Sequence, residues 1–325
     1  MRDRYLGIDL GGSKILAGVV SASGKILSRA KSVTPFLQGS AALARALIAT
    51  ASEALTQART ERERIVAIGI GSPGPLDPRS GVVLRTPNIA IRRFPAGRLL
   101  SAEFGVPVVL DNDVHMAVLG EHLAGAARGH DRIIGLWIGT GVGGCVLWNG
   151  EVVHGVNQNA GEIGHMILDA RRVGKGDGRG TLEWEASKTG IVRLLRKRIS
   201  RGEKTRLAKR ISGKKERLHS SDLARAFRKK DRAAVHAVRH SARYVGIAVA
   251  NLFDALAPDL FLLGGGVVES IGRPYLSLVA NSARQHAFTR ELADIRIAVS
   301  SLGDDAGLLG AALAARRKHP VGGRR

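Results

Sequence analysis

The chain has 325 residues, 44% of them hydrophobic, which is enough for a sizeable core and for two lobes with a cleft. Its 50 Lys and Arg against 28 Asp and Glu give a formal charge of +22 and a pI near 11.2, which favours polyanionic partners without by itself making a nucleic-acid binder. A single cysteine, Cys145, excludes an intrachain disulfide and a multi-cysteine metal cluster, and fits a reducing compartment.

The N-terminus runs into an apolar segment at Tyr5 with no secretory pattern, so the protein is expected to stay in the cytoplasm. Residues 5–9 and 15–20 read as strands joined by Gly11-Gly12, with a third run from Ile26. Residues 41–58 carry apolar side chains at helical spacing, and 65–70 form a strand stopped by Pro73-Gly74-Pro75. A strand over 107–110 leads through Asp111-Asn112-Asp113 into a helix over 114–126. The second half repeats the theme, with a strand at 133–138, a glycine turn at 139–144 and a strand at 145–148. Residues 193–232 are dense in Lys and Arg, including Lys214-Lys215, and Ser220, Ser221 and Asp222 offer a cap inside them. A long helix is expected over 232–256, a strand over 260–263 ending in Gly264-Gly265-Gly266, and a basic, frayed tail from Arg316. The apolar stretch 245–268 is broken by Asn251, Asp254, Pro258 and Asp259 and falls short of a membrane span. Strands feeding helices point to an α/β fold.

Two glycine hairpins suggest a phosphate site. In Gly7-Ile8-Asp9-Leu10-Gly11-Gly12-Ser13-Lys14, an acid precedes a turn whose backbone N–H groups can face a phosphate, and glycine permits close approach or positive φ. Asp9 can then hold Mg²⁺, directly or through water. Gly139-Thr140-Gly141-Val142-Gly143-Gly144 repeats the design, with a hydroxyl at Thr140. Neither is a Walker A loop, because the spacing differs and a strand follows. Asp111, Asn112 and Asp113 suit either a helix cap or a general base with a neighbouring amide that both donates and accepts.

Together these segments resemble the actin-like ATPase superfamily and, within it, the ROK family of bacterial sugar kinases and repressors, over residues 7–310. The resemblance implies a two-lobed ribonuclease H-like fold with a central cleft. Residues 1–115, completed by a helix around 304–318, would form the smaller lobe, and 116–303 the larger. It implies phosphate and nucleotide contacts from Asp9, Gly11, Gly12, Ser13, Lys14, Gly139, Thr140, Gly141 and Gly143, with Gly264, Gly265 and Gly266 near adenosine. It implies sugar contacts from Asn88, Asn112, Asp113, Glu162, His165 and Glu183, with Asp113 as the base that takes the sugar hydroxyl's proton. Ala160-Gly161-Glu162-Ile163-Gly164-His165, Leu182-Glu183, Pro87-Asn88 and Ser72-Pro73-Gly74 carry the sugar-site resemblance.

The expected activity is therefore ATP- and Mg²⁺-dependent phosphorylation of a hexose. Glucose is the first acceptor, with N-acetylhexosamine and fructose as alternatives and polyphosphate as an alternative donor through the cationic segment 193–232. A homodimer or larger homo-oligomer is expected, with no membrane partner. The family's repressors carry a helix-turn-helix before the kinase-like part. Only four residues precede Tyr5, so specific DNA binding is not expected. Two departures stand out. The family's CxCGxxGCLE zinc segment corresponds here to 174–183, which lacks every cysteine, so no structural zinc is expected. His115 also stands where a small polar residue is usual.

Overall fold

The computed structural model describes residues 3–86, 89–174, 176–211, 218–288 and 294–321. Strands β1 (Arg4–Leu10) and β2 (Lys14–Ser21) form an antiparallel hairpin, and β3 (Ala30–Val33) pairs with β2. The apolar run at Ile26 yields only an isolated bridge to Val20. The Ser28 hydroxyl takes over there: it accepts from the Val19 N–H and donates to the Ala54 carbonyl, so the ladder resumes only at Ala30.

Helix α1 (Gly39–Gln57) buries Leu43, Leu47, Ala51 and Ala54, a stripe at three- and four-residue spacing. Strand β4 (Ile65–Ser72) lies parallel to β1. A small antiparallel meander follows: β5 (Leu76–Asp77), β6 (Val82–Arg85) and β7 (Arg92–Phe94). Helix α2 (Ala96–Phe104) ends at Gly105, whose φ of +66° is a left-handed cap that glycine adopts cheaply. Strand β8 (Val108–Asn112) pairs parallel with β4 and leads into α3 (Asp113–Ala124).

The second half opens with the hairpin β9 (Arg132–Ile138) and β10 (Val142–Trp148), extended by the two-residue β11 (Glu151–Val152). Helices α4 (Leu182–Ala186), α5 (Lys188–Ile199), α6 (Ala208–Ile211), α7 (Ser220–Arg228) and α8 (Arg232–Leu256) follow. The chain then forms β12 (Leu260–Gly264), α9 (Gly266–Ile271), α10 (Arg273–His286), β13 (Ile297–Val299) and α11 (Asp305–Lys318).

The two main sheets have orders β3-β2-β1-β4-β8 and β11-β10-β9-β12-β13. Each has a first strand flanked by an antiparallel hairpin partner on one side and a parallel strand on the other, the duplicated order of the actin-like ATPase fold. The chain packs as two compact units, one of 3–129, 151–160 and 304–321, the other within 130–150 and 161–303. A boundary after residue 115 thus falls inside α3.

Several sequence expectations shift. Strand β10 begins at Val142, not Cys145, so Gly143 and Gly144 belong to the ladder, opposite Trp137 and Leu136. Helix α7 starts at Ser220 with His219 before it and no side-chain cap, and Asp222 points instead toward Arg225. The described part of the basic segment is a layer of short helices that buries Leu195, Leu207, Ile211, Leu218 and Leu223, while most of its described Lys and Arg residues are exposed. The tail stays helical through Lys318. No helix among the described residues is long and apolar enough to cross a membrane.

In the first unit, α11 lies backbone to backbone against its neighbours. A Cβ at Gly310 would overlap the Met116 carbonyl, and one at Gly69 the Ala311 carbonyl. Such contacts cannot be relieved by a rotamer change. Gly310→Ala is expected to destabilise the protein by about 2–3 kcal/mol, read as a lower urea midpoint with unchanged slope.

Candidate active site

In the first unit the β1–β2 turn closes through the Gly11 N–H donating to the Lys14 carbonyl at 2.9 Å, and the Thr34 hydroxyl braces it by donating to the Gly11 carbonyl at 2.8 Å. Gly11 keeps a φ outside the left-handed region, so open approach to its backbone, not positive φ, is what glycine supplies there. Asp9 sits near the end of β1, paired with Leu16 and Gly71. Burial, and then the negative charge of Asp113, push its carboxyl up to about 7. A carboxylate whose charge is penalised in this way is a strong ligand for a hard cation. Lys14 spends its ammonium on Asp304, at 2.6 Å.

At the β8–α3 junction the alternatives of cap and base separate. Asn112 is the N-cap, its Oδ1 accepting from the Val114 and His115 N–H groups at 2.8 and 3.4 Å. Asp113 is the first helical residue, with Oδ1 accepting from the Val114 N–H at 2.9 Å. The N-cap is thus made by Asn112 and not by Asp113. Beside it, Asp111 accepts from the Asn112 N–H and is bonded to two imidazoles, His115 Nδ1 at 2.9 Å and His154 Nε2 at 2.7 Å. Burial raises the Asp111 pKa, but the two histidine bonds more than offset that and hold the carboxyl well below the usual carboxylate range; His154 is raised in turn by the same bond. His115 stands out in the sequence, but nothing local marks Asp111 as a hub or points to His154, which is 43 residues from Asp111 in the chain.

In the second unit the β9–β10 turn is three residues long, closed by the Gly139 N–H donating to the Gly141 carbonyl. It is docked on the first turn of α5, where the Lys188 N–H donates to the Gly139 carbonyl and the Thr189 hydroxyl to the Thr140 carbonyl. Glu183 Oε2 accepts from the Val142 N–H at 2.8 Å, and a Cβ at Gly141 would strike that carboxylate. Glu183 therefore braces the glycine hairpin. Glu183→Gln, which keeps an acceptor oxygen, is expected to hold KM for the nucleotide within about threefold, whereas Glu183→Ala raises it about tenfold, the worth of one hydrogen bond. Steady-state kinetics on both variants check this.

The segment 160–165 packs on β10 through its glycines. Side chains at Gly164 and Gly144 would overlap the carbonyls of Val142 and Gly161. This closeness lifts Glu162 and His165 outward around a 3₁₀ turn (Ile163–His165), with side chains 50% and 68% exposed and 3.9 Å apart. The cysteine-free loop is held by backbone bonds, the Leu168 and Asp169 N–H groups donating to the Gly180 carbonyl and the Leu182 N–H to the Met166 carbonyl. Thr181 caps α4. At the end of β12, Gly264 lies flat against Trp137, and Gly265, with φ +87°, precedes α9. Asn88, Lys214 and Lys215 lie outside the described residues.

A profile of the ROK family matches residues 5–318. The chain belongs to the ROK family. Among ROK relatives, a glucokinase of Halalkalibacterium halodurans is 33% identical over 316 residues, 95% of this chain and 94% of that protein. The solved ROK hexokinase from Thermus thermophilus matches at a TM-score of 0.82 and 34% identity, covering 98% of this chain and all of that one. A ROK family glucokinase from Streptomyces griseus, solved in complex with glucose and AMPPNP, matches at a TM-score of 0.82 and 30% identity over 97% of this chain and 99% of that one.

Proposed function

We infer that this ROK protein is an ATP-dependent hexose kinase that phosphorylates glucose to glucose 6-phosphate. The observation that carries the reading is the pairing of charge and position in the first unit. Asp113 stands at the head of α3, where Asn112 makes the N-cap, and its charge reaches Asp9, a buried carboxyl. The relatives point the same way, being glucokinases matched along nearly their whole length.

Asp113 accepts the proton of the sugar hydroxyl as that oxygen forms its bond to the γ-phosphorus and the bond to ADP breaks. The hydroxyl loses its proton late, so a carboxylate needs no large pKa change. Asn112, Glu162 and His165 offer the donors and acceptors a desolvated sugar requires, with Asn88 and Glu183 as further contacts. Gly11 and Gly139 close the two turns with their own N–H groups, leaving the backbone N–H groups of Gly12, Ser13, Thr140, Gly141 and Gly143 for the phosphates; Lys14, paired with Asp304, adds positive charge, and Gly264, Gly265 and Gly266 leave room for adenosine. Mg²⁺ held by Asp9 would supply neutralisation of phosphate charge. The protein works in the cytoplasm, as a homo-oligomer, with no need of DNA.

A coupled assay across glucose, fructose, mannose and N-acetylhexosamines, run with Mg·ATP and with polyphosphate, tests the reading. Glucose with ATP is expected to give the highest kcat/KM. Preference for an N-acetylhexosamine or for polyphosphate would replace the acceptor or the donor, and no turnover together with tight operator-like DNA binding would replace the enzyme reading altogether.

A further inference from the structure

The Asp111, His115 and His154 cluster is not needed by the phosphoryl-transfer scheme, yet three separate pieces of the first unit converge to build it. Asp111 comes from β8, His115 from the first turn of α3, and His154 from the segment after β11. Their side chains are 13%, 5% and 29% exposed. The two imidazole rings stand edge to face, 5.7 Å apart and 79° between planes, each aiming one nitrogen at the same carboxylate. The three ligand atoms all lie within 4.8 Å of one another.

We propose that Asp111, His115 and His154 form a binding site for a first-row transition-metal dication, Zn²⁺ being the probe of choice. Ligands about 2.1 Å from a tetrahedral zinc are about 3.4 Å from each other. The present separations, from 2.7 Å up to 4.8 Å, bracket that value, so side-chain adjustments of about an ångström close the site. Two imidazoles and one carboxylate select zinc, cobalt or nickel over magnesium. Among the described residues the ion pairs of Asp111 are those with His115 and His154, and no Arg or Lys is paired with it. The Glu185–His240 pair lacks this property: Glu185 bonds His240 at 2.8 Å but also the Arg172 guanidinium at 2.9 Å. Three protein ligands leave a fourth position for water. A metal there ties the segment carrying His154 to the strand end from which Asn112 and Asp113 project, two residues from the base, so its role is to fix that junction. Mg²⁺ held by Asp9 would be a separate ion, of harder character.

The test is metal binding by the full chain, read without kinase activity. Protein stripped with a chelator and then equilibrated with Zn²⁺ in the presence of millimolar Mg²⁺ is expected to retain one zinc per chain by elemental analysis and to melt at higher temperature than the stripped form. Co²⁺ in its place is expected to give visible d–d absorption. His154→Ala and His154→Gln, each checked for folding by circular dichroism, are expected to weaken Zn²⁺ binding by more than about 100-fold, beyond the effect of losing an outer-shell partner. Asp9→Asn is expected to leave zinc binding intact. Substoichiometric zinc in the wild type, or unchanged zinc affinity and cobalt spectrum in folded His154 variants, would overturn the proposal while leaving the kinase reading standing.

Discussion

Asp113→Asn is expected to lower glucose phosphorylation by about 10²–10⁴-fold while changing glucose affinity little. The amide is the same size and keeps an oxygen for the Val114 N–H, and the cap on α3 belongs to Asn112, so the helix start survives. Only the capacity to take a proton is lost. A second consequence follows from the coupling between carboxyls: with the Asp113 charge gone, one of the influences holding Asp9 near pH 7 disappears and the Asp9 pKa falls toward its ordinary value. Turnover, glucose titration by calorimetry and Asp9 titration by NMR check both parts. Near-normal turnover in the variant would remove Asp113 from the role of base.

Asp9→Asn is expected to separate activity from stability. Turnover falls by at least about 100-fold, as when a charge-stabilising group is removed, yet the ligand-free variant is more stable than the wild type at pH 8. The sign follows from the direction of the shift. The folded-state pKa, about 7, is above the unfolded value of 3.8, so the folded protein holds the extra proton. The stability tied to that proton is fully present below pH 3.8 and is lost as pH rises through 7, reaching about 4 kcal/mol at pH 8. Wild-type melting temperature should therefore drop between about pH 4 and 7 more steeply than that of Asp9→Asn and level off above that, and Mg²⁺ with ATP should restore it only in the wild type. Parallel pH profiles for the two proteins would show that Asp9 is ionised without penalty.

Much of this site was legible because its signals are local. The hairpin at Gly11, the helix start at Asn112 and the long helix over 232–256 are written in neighbouring residues: apolar period, glycine placement and capping side chains such as Asp231, which accepts from the Ala234 N–H. The misreadings come from contacts that local pattern cannot hold. Gly143 and Gly144 looked like a turn, but Gly144 is small because the Gly161 carbonyl presses on the ladder there. Ile26 has strand character, yet the Ser28 hydroxyl and α1 decide where the third strand begins. The meander from Leu76 to Phe94 is too short and irregular to show a period. For Glu183, whose motif suggests a sugar contact, the fold adds a bond from the Val142 N–H that no local pattern announces. Likewise, nothing near Asp111 in sequence announces His154.

Phosphorus NMR of the wild-type protein with glucose and Mg·ATP tests the central claim most directly. A phosphomonoester resonance split by the two C6 protons of glucose is expected, growing in step with ADP and absent when Asp113 is replaced by Asn. Persistence of ATP, or ADP accumulating with inorganic phosphate alone, would contradict it.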